Sequence, residues 1–472
     1  MPAIEMACIP CVPAEPEEES ETVPKLEPKL QSQMNQRVIA VLTVLSALFM
    51  SSLALAQTAE MTMAPISKNV GLRSGDFLLK PSITVMAHYD TNVFNASPQE
   101  ALLTPIVGAA SVRIQPRLTL QNDLTGNTVF NFGASGDGRL YLSSDPVVKN
   151  LNNFGGGANL DVTFGQRKPI AFTLFDTFNR MLRSNNWETV QTLNRNTNDV
   201  GARVEFHPGD VPERRPFNIA LMGSYGIDRF EDFNSFNTNI VHTRMNGSWK
   251  FLPKTAAYVD ATWDFRTFTN EDLIQRNLAV NTKPFRARAG VAGAITKRIS
   301  FDVSAGWGMA LVSSGVPGFN SWLGSVNFGF RPTETTRLTL GYTHDLRDAY
   351  LGGYSEVHKF GISAKQRFGT IIDVSANFGA GYVKYGQAQA TAGISVVGAA
   401  AGSAPGYFIR HDWQLDGGLT ASFEVSRYVG LQIGYVLRSV VTGFKLTSAS
   451  TAVLDAGEYT AHEMFASVIG RY

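Results

Sequence analysis

The chain has 472 residues, of which 44% are hydrophobic and 17% charged, and its formal net charge is +1. Because neither a long basic run nor a nucleic-acid-binding motif accompanies this charge, we exclude nucleic acid as a partner. Both cysteines, Cys8 and Cys11, lie near the start, and one CxxC pair without a nearby histidine is only a weak signal for a metal or redox site.

The first 33 residues are too polar to form a core. Residues 1–33 are rich in Pro and Glu, and they carry seven acidic side chains against two lysines. Such an acidic leader does not fit the start of an export signal, which favours translation from Met34 over Met1. A genuine acidic tail is the alternative.

Residues 34–56 have the layout of a secretory signal peptide. Arg37 supplies a positive charge, an apolar run follows it, and Ala54-Leu55-Ala56 provides an A-x-A cleavage site before Gln57. We predict cleavage there and a short periplasmic segment over residues 57–75. An uncleaved helix is the alternative, because the apolar run is long enough to cross a bilayer.

From residue 76 onwards, apolar and polar residues alternate with a period of two. Residues 111–123, for example, read SVRIQPRLTLQND, which places an apolar edge and a polar edge on one strand. Eighteen such segments run to the C-terminus, each about the length of a strand that crosses a membrane at a tilt. Long polar connections such as 90–109 and 386–408 alternate with short turns such as 165–169, as in outer-membrane barrels.

Aromatic residues mark both ends of these segments on the apolar edge. This arrangement is typical of the two aromatic girdles of a membrane barrel rather than of a protein core. The short-turn end carries Phe164, Phe206, Phe251, Phe330, Phe368, Phe423 and the terminal Tyr472, and the long-connection end carries Trp263, Trp307, Trp322 and Trp413.

We therefore predict an all-β fold, a closed antiparallel transmembrane β-barrel of about 18 strands over residues 76–472, with 16 as the lower count. Its apolar edge would face lipid and lipopolysaccharide of the cell outer membrane. Tyr472 is the expected contact with the barrel-assembly machinery. Pro81 and Pro116 each remove a donor from the ladder, so we expect local bulges there.

Three stretches carry a resemblance to a known family. They are GDFLLKPSITVMAHYDTNVF (75–94), NRNTNDVGARVEFHPG (194–209) and WKFLPKTAAYVDATWDF (249–265). They resemble a β-barrel porin family of Gram-negative outer membranes, and the likeness spans most of residues 70–472. The resemblance implies the fold and the compartment and brings no catalytic residues. Some members of the family are thought to lie beside exopolysaccharide genes.

The polar edge supplies the candidate pore lining. Basic side chains are slightly ahead of acidic ones, which would favour anions, although pairing across strands is the alternative role for each charge. The six candidate arginines are Arg113, Arg117, Arg203, Arg244, Arg286 and Arg288.

The leading function is passive diffusion of small hydrophilic solutes through an outer-membrane channel, with a weak anion preference. An export channel for an exopolysaccharide is the first alternative, and a barrel enzyme or a structural or adhesive barrel is the second. Eighteen strands leave room for water inside the barrel. The sequence does not decide between a monomer and a homo-oligomer. It also does not identify the transported solute or decide whether the 386–408 connection folds into the lumen.

Enzymatic and metal chemistry have little support in the sequence. The dipeptides His344-Asp345 and His411-Asp412 lie near strand ends, but adjacent residues on a strand point to opposite faces and form no dyad. No two histidines outside the connections share a close same-face spacing. We expect no catalytic residues, no metal site and no cofactor.

Overall fold

The computed structural model describes residues 71–97, 106–122, 126–184, 193–208, 216–231, 237–269, 281–312, 318–349, 353–386, 388–389, 394–397, 400–401, 407–443, 445–448, 451–455 and 458–472. The predicted acidic leader, both candidate start codons, the signal peptide and residues 57–70 lie outside these residues.

Eighteen long strands form the barrel. Their period-two alternation of apolar and polar side chains suits a sheet that contacts different surroundings on its two faces. They are β1 (Phe77–Asp90), β2 (Ala109–Asn122), β3 (Thr128–Tyr141), β4 (Asn153–Phe164), β5 (Ile170–Ser184), β6 (Leu193–Phe206), β7 (Phe217–Phe230), β8 (Thr238–Leu252), β9 (Thr255–Phe268), β10 (Thr282–Ala294), β11 (Ile299–Val312), β12 (Phe319–Phe330), β13 (Thr336–Asp348), β14 (Tyr354–Phe368), β15 (Ile372–Tyr385), β16 (His411–Glu424), β17 (Val429–Thr442) and β18 (Tyr459–Arg471).

Each strand pairs antiparallel with its neighbours in sequence, and the last strand closes the sheet on the first. The closing ladder runs from Ser82 opposite Arg471 to Asp90 opposite Glu463. Closure satisfies backbone groups that would otherwise form an open edge. The predicted all-β fold class and the count of eighteen strands are confirmed, as is the architecture that the family resemblance implied.

The connections differ in length at the two ends of the barrel. At one end they range from two residues between β8 and β9 to ten between β6 and β7, and at the other end they reach 25 residues between β15 and β16. In outer-membrane barrels the short turns face the periplasm. We call the short-turn end the periplasmic end and the opposite end the outer end.

The outward face of the sheet is apolar along its length. Alternate residues such as Ile83, Val85, Val326 and Leu419 have exposed side chains, while the residues between them point inward. The predicted girdle aromatics are on this face: all are exposed except Phe423, which is half-buried. A continuous apolar exterior with aromatic ends is what a lipid bilayer requires.

The two prolines within strands produce no bulge, contrary to prediction. The ladder between β1 and β2 runs through Pro81 and Pro116 without a register shift. Between β2 and β3 the ladder is interrupted from Ile114 to Arg117, yet the register is the same on both sides. The register puts Gly136 opposite Pro116, and a Cβ on Gly136 would lie 3.0 Å from Cγ of that proline. The glycine accommodates the ring, so the strand has no need to bulge.

The two longest outer connections near the C-terminus contain short strands. Ile394–Val397 pairs with Lys445–Ser448, which pairs in turn with Thr451–Asp455. A second small sheet joins Ala388–Gln389 and Ala400–Ala401 to Tyr407–Ile409. The connection after β15 is therefore linked by a ladder to the connection after β17.

Helix is scarce in the described chain, where α1 (Pro146–Lys149) is a single turn. Among the described residues, no helix has the length and apolar character needed to cross a membrane.

Candidate functional site: the inner wall of the barrel

The inner wall is lined by polar and charged side chains, and all six predicted arginines lie at inward positions. Four of them, Arg117 with Leu118 among them, each precede an exposed large apolar residue on the outward face, which fixes their own direction. The other three neighbours are Ile114 beside Arg113, Val204 beside Arg203, and Met245 beside Arg244.

Arg113 forms a two-pronged ion pair on the wall between β2 and β3. Its Nη2 lies 2.6 Å from Oδ2 of Asp137, and its Nε donates to Oδ1 at 3.2 Å. Gln115 donates to the same carboxylate at 3.4 Å, and Arg139 approaches it at 3.8 Å. A bidentate guanidinium–carboxylate pair is the more directional kind of ion pair.

Two more of the predicted arginines are paired along the wall. Arg244 donates to Asp260 at 2.9 Å, and Asn246 donates to the same carboxylate oxygen. Arg203 lies 3.8 Å from Glu205, two residues along β6. Both pairs join side chains on one face of the sheet, and the Arg244–Asp260 pair crosses between two strands, which is the alternative role for such charges.

Arg286 and Arg288 contact a strand that is not their neighbour. Arg286 donates to Asp264 at 2.7 Å on adjacent β9, but also to the Leu346 carbonyl oxygen at 3.1 Å on β13. Arg288 donates to Asp345, also on β13. Two strands separate β10 from β13 in the sheet. At about 4.8 Å per strand the distance within the wall would be about 14 Å, too far for these contacts.

The outer end of β13 therefore lies across the inner wall. Its ladder with β12 ends at Gly324 opposite His344, whereas its ladder with β14 continues to Asp348. We call residues 345–348 the inner flap. Because β13 keeps its pairing with β14, the hairpin of these two strands can lean inward where its pairing with β12 has ended.

Packing shows the same arrangement. Leu323 points inward from β12, and it is fully buried together with Leu346 of the inner flap. The two belong to one apolar cluster with Ala310 and Phe319, and Tyr354 packs against it. Burial of apolar surface on both sides stabilises the flap against the wall.

Of the six predicted arginines, Arg117 differs from the other five. Within the described part of the chain it has no ion-pair partner, and its side chain is exposed on the inner wall. Lys80 on neighbouring β1 likewise has no ion-pair partner among the described residues. The ladder places Lys80 opposite Thr119 and Ser82 opposite Arg117, so the two cations are close together near the periplasmic end.

The two His-Asp dipeptides are split between faces, as predicted. Asp345 binds Arg288 on the inner side, while His344 contacts the ring of outward-facing Trp322. Asp412 pairs with Arg410, and the preceding His411 contacts the Tyr382 hydroxyl at 2.7 Å. Neither dipeptide brings its imidazole and carboxylate together.

Three possible metal-ligand residues lie close together at one place, although the sequence pattern predicted no metal site. His344, Glu356 and His358 have ligand atoms that all lie within 4.8 Å of one another. The two histidines are fourteen positions apart in sequence but directly opposite in the β13–β14 ladder. Sequence spacing alone did not reveal them, because their proximity depends on strand register.

A closed sheet with a charged inner wall and an apolar, aromatic-ended exterior is the inverse of a water-soluble sandwich, whose apolar face is enclosed. The protein is an outer-membrane β-barrel. No family model matches the chain, and no curated protein matches it at a significant level.

Solved structures include several similar barrels. OccK2 (OpdF) of Pseudomonas aeruginosa, in complex with glucuronate, is 8% identical over 84% of this chain and 98% of that chain, with a TM-score of 0.45. OccK11 (OpdR) of the same species is 9% identical over 84% and 96%, with a TM-score of 0.43. The FrpB iron transporter of Neisseria meningitidis is 8% identical over 85% and 82%, with a TM-score of 0.42.

The inner flap and its acidic residues were not predicted from the sequence. Asp345 and Asp348 were not among the candidate pore residues, and Arg266, which binds Asp348, was absent too. Their sequence pattern is that of an ordinary strand end. The bend that brings them inward appears only in the pairing of β12 with β13.

Proposed function

We propose that the barrel is a channel for passive diffusion of small hydrophilic solutes, with a weak preference for anions. The observation that carries the proposal is the inner wall, where charged side chains face the space enclosed by eighteen strands. Barrels of this strand number leave a water-filled lumen, whereas eight-stranded barrels are filled by side chains.

The arrangement of the ion pairs supports a permanently hydrated wall. Carboxylates hold the arginines against the wall, as Asp137 holds Arg113 and Asp260 holds Arg244. The paired side chains therefore line the lumen with polar groups. Paired charges on the wall provide a polar surface that replaces part of a solute's hydration. The inner flap lies over the wall at the outer end, where it contacts Arg266, Arg286 and Arg288, and this supports selection for small solutes.

The weak anion preference is supported by the cations that lack ion-pair partners. Arg117 and Lys80 add positive charge that no carboxylate within ion-pair distance offsets in the described chain. Lys365 and Arg367 lie near the same end but share Asp373. A local excess of positive charge raises the local concentration of small anions and lowers that of cations.

Planar-bilayer recording of the refolded full chain tests this proposal. We expect stepwise conductance and, under a salt gradient, a reversal potential displaced toward the anion equilibrium potential. Swelling of protein-containing liposomes in solutes of increasing size should report the size limit. A barrel that inserts but conducts no ions would overturn the proposal and favour export with partners, an enzyme or a structural barrel.

A further inference from the structure

We propose that the outward face of the barrel binds a divalent transition-metal ion of the Zn²⁺ class at His344, Glu356 and His358. The site lies where β13 turns away from β12, beside the exposed Trp322 of the outer girdle. Glu356 and His358 are on the same strand face as the exposed Phe360. The proposal concerns this surface and does not rest on the channel function.

The separations of the ligand atoms fit a single small ion. Nε2 of His344 lies 2.9 Å from Oε1 of Glu356, and Nε2 of His358 lies 4.0 Å from the same oxygen. In a tetrahedral zinc site with bonds of about 2.0–2.1 Å, adjacent ligand atoms are about 3.3 Å apart. The two observed distances lie on either side of this value, so the three ligand atoms are close enough to share one ion once the partly exposed ring of His358 turns toward it.

The surrounding residues hold His344 in place, whereas His358 must turn out of its stack with His344, because a metal ion lies near the plane of each imidazole that binds it. The ring planes of His344 and His358 are stacked at 4.2 Å with an angle of 5° between them, and Trp322 contacts His344 edge-on at 4.2 Å. His344 is fully buried, so it has little room to rotate away. Nδ1 of His358 lies 2.9 Å from the Tyr342 hydroxyl.

The contact with Tyr342 is compatible with the tautomer that binds a metal, because the hydroxyl oxygen can accept a hydrogen bond from Nδ1–H of His358. When Nδ1–H of His358 donates to the hydroxyl oxygen, Nε2 keeps its lone pair and points toward Glu356. Metal-binding histidines usually have such a partner on the ring nitrogen that is not a ligand. Two imidazoles and one carboxylate suit zinc and related ions, with a fourth position open to water.

One nearby cation opposes the metal. Nζ of Lys384 lies 3.7 Å from Oε2 of Glu356, the carboxylate oxygen that the histidines do not approach. It neutralises part of the charge that attracts a divalent ion. The Lys384→Gln substitution should therefore strengthen metal binding, whereas loss of a ligand should weaken it.

The test is calorimetric titration of Zn²⁺ into the refolded full chain in detergent, with Cys8→Ser and Cys11→Ser in every sample to remove thiol ligands. We expect saturable binding of one ion per chain. Glu356→Gln and His358→Ala should each weaken it more than about tenfold, and Tyr342→Phe by roughly tenfold. Co²⁺ should give the absorption bands of a tetrahedral site.

His462→Ala is the matched control, because His462 also contacts a tyrosine hydroxyl, that of Tyr435, at 2.7 Å. Its affinity for Zn²⁺ should equal that of the parent protein. Heat-modifiable electrophoretic migration identifies the variants that fold. Absence of saturable Zn²⁺ binding in the parent, or equal affinity in the folded Glu356→Gln, His358→Ala and Tyr342→Phe variants, would overturn the proposal.

Discussion

Oδ2 of Asp348 lies 2.9 Å from Nη2 of Arg266, although three strands separate β9 from β13 in the sheet. The separation along the wall would be about 19 Å at the usual strand spacing. The ion pair therefore spans the inner face and holds the inner flap over β10–β12. Arg288 with Asp345 provides a second attachment next to it.

Removing these attachments should widen the outer end of the lumen. In the double variant Asp345→Asn/Asp348→Asn, the flap loses both carboxylates and keeps the packing of Leu346 in its apolar cluster and the hydrogen bond from Arg286 to the Leu346 carbonyl oxygen. We expect a larger single-channel conductance with more frequent transitions between levels, measured in planar bilayers. Asp373→Asn, which removes an inward carboxylate near the periplasmic end, is the control and should change the conductance level less. An unchanged level in the double variant would show that the flap does not limit flow.

Selectivity should depend on the cations without ion-pair partners. Replacing Arg117 with Gln removes a positive charge that no carboxylate offsets, so the reversal potential in a salt gradient should shift toward cations. The double variant Arg244→Gln/Asp260→Asn removes one charge of each sign from a 2.9 Å pair and should leave that potential nearly unchanged. Equal shifts in both variants would contradict this assignment.

The paired arginines are less suitable for such a test. Arg286→Glu would place a second carboxylate beside Asp264, which also contacts His242 at 2.8 Å. Repulsion between these two carboxylates would then displace side chains of the wall, in addition to the change in charge. Arg286 also contacts the flap through the Leu346 carbonyl oxygen. A change in conductance from this variant would therefore combine the effect of the altered charge with the effect of a displaced flap.

The outward face should not tolerate a charge at mid-membrane depth. Leu419 is exposed on β16, and we expect Leu419→Arg to lower the free energy of unfolding in lipid vesicles by about 2–4 kcal/mol. Thr420, the next residue, points inward, so Thr420→Arg should cost far less. Equilibrium urea unfolding in vesicles measures both values. Similar losses would mean that lipid does not contact Leu419.

The C-terminal aromatic residue should matter for assembly rather than for stability. Tyr472 is exposed and lies 6.2 Å from the ring of Tyr428. If it is recognised by the barrel-assembly machinery, Tyr472→Ala should reduce the amount of protein in the outer membrane of cells while refolding into vesicles stays near normal. Tyr428→Ala is the control, and an equal reduction in both would indicate that ring packing alone is responsible.

The sequence by itself determined the strand architecture. Period-two alternation in segments such as 111–123, with alternating connection lengths, sufficed for a closed barrel of eighteen strands. It also gave the direction of the side chains where the strands follow the wall, because neighbours on a strand must face opposite sides. The inward position of Arg113 and the outward position of Trp413 both follow from this rule.

Tertiary structure alone decided which side chains meet. The pairing of Arg286 with the flap, the absence of an ion-pair partner for Arg117 and the juxtaposition of His344 with His358 all depend on the register and bending of strands. Local alternation is the same in every register that preserves parity, so it cannot identify partners on other strands. The ladder between β12 and β13 ends at His344, and Leu346 then joins a buried cluster with Leu323, an arrangement that no local pattern encodes.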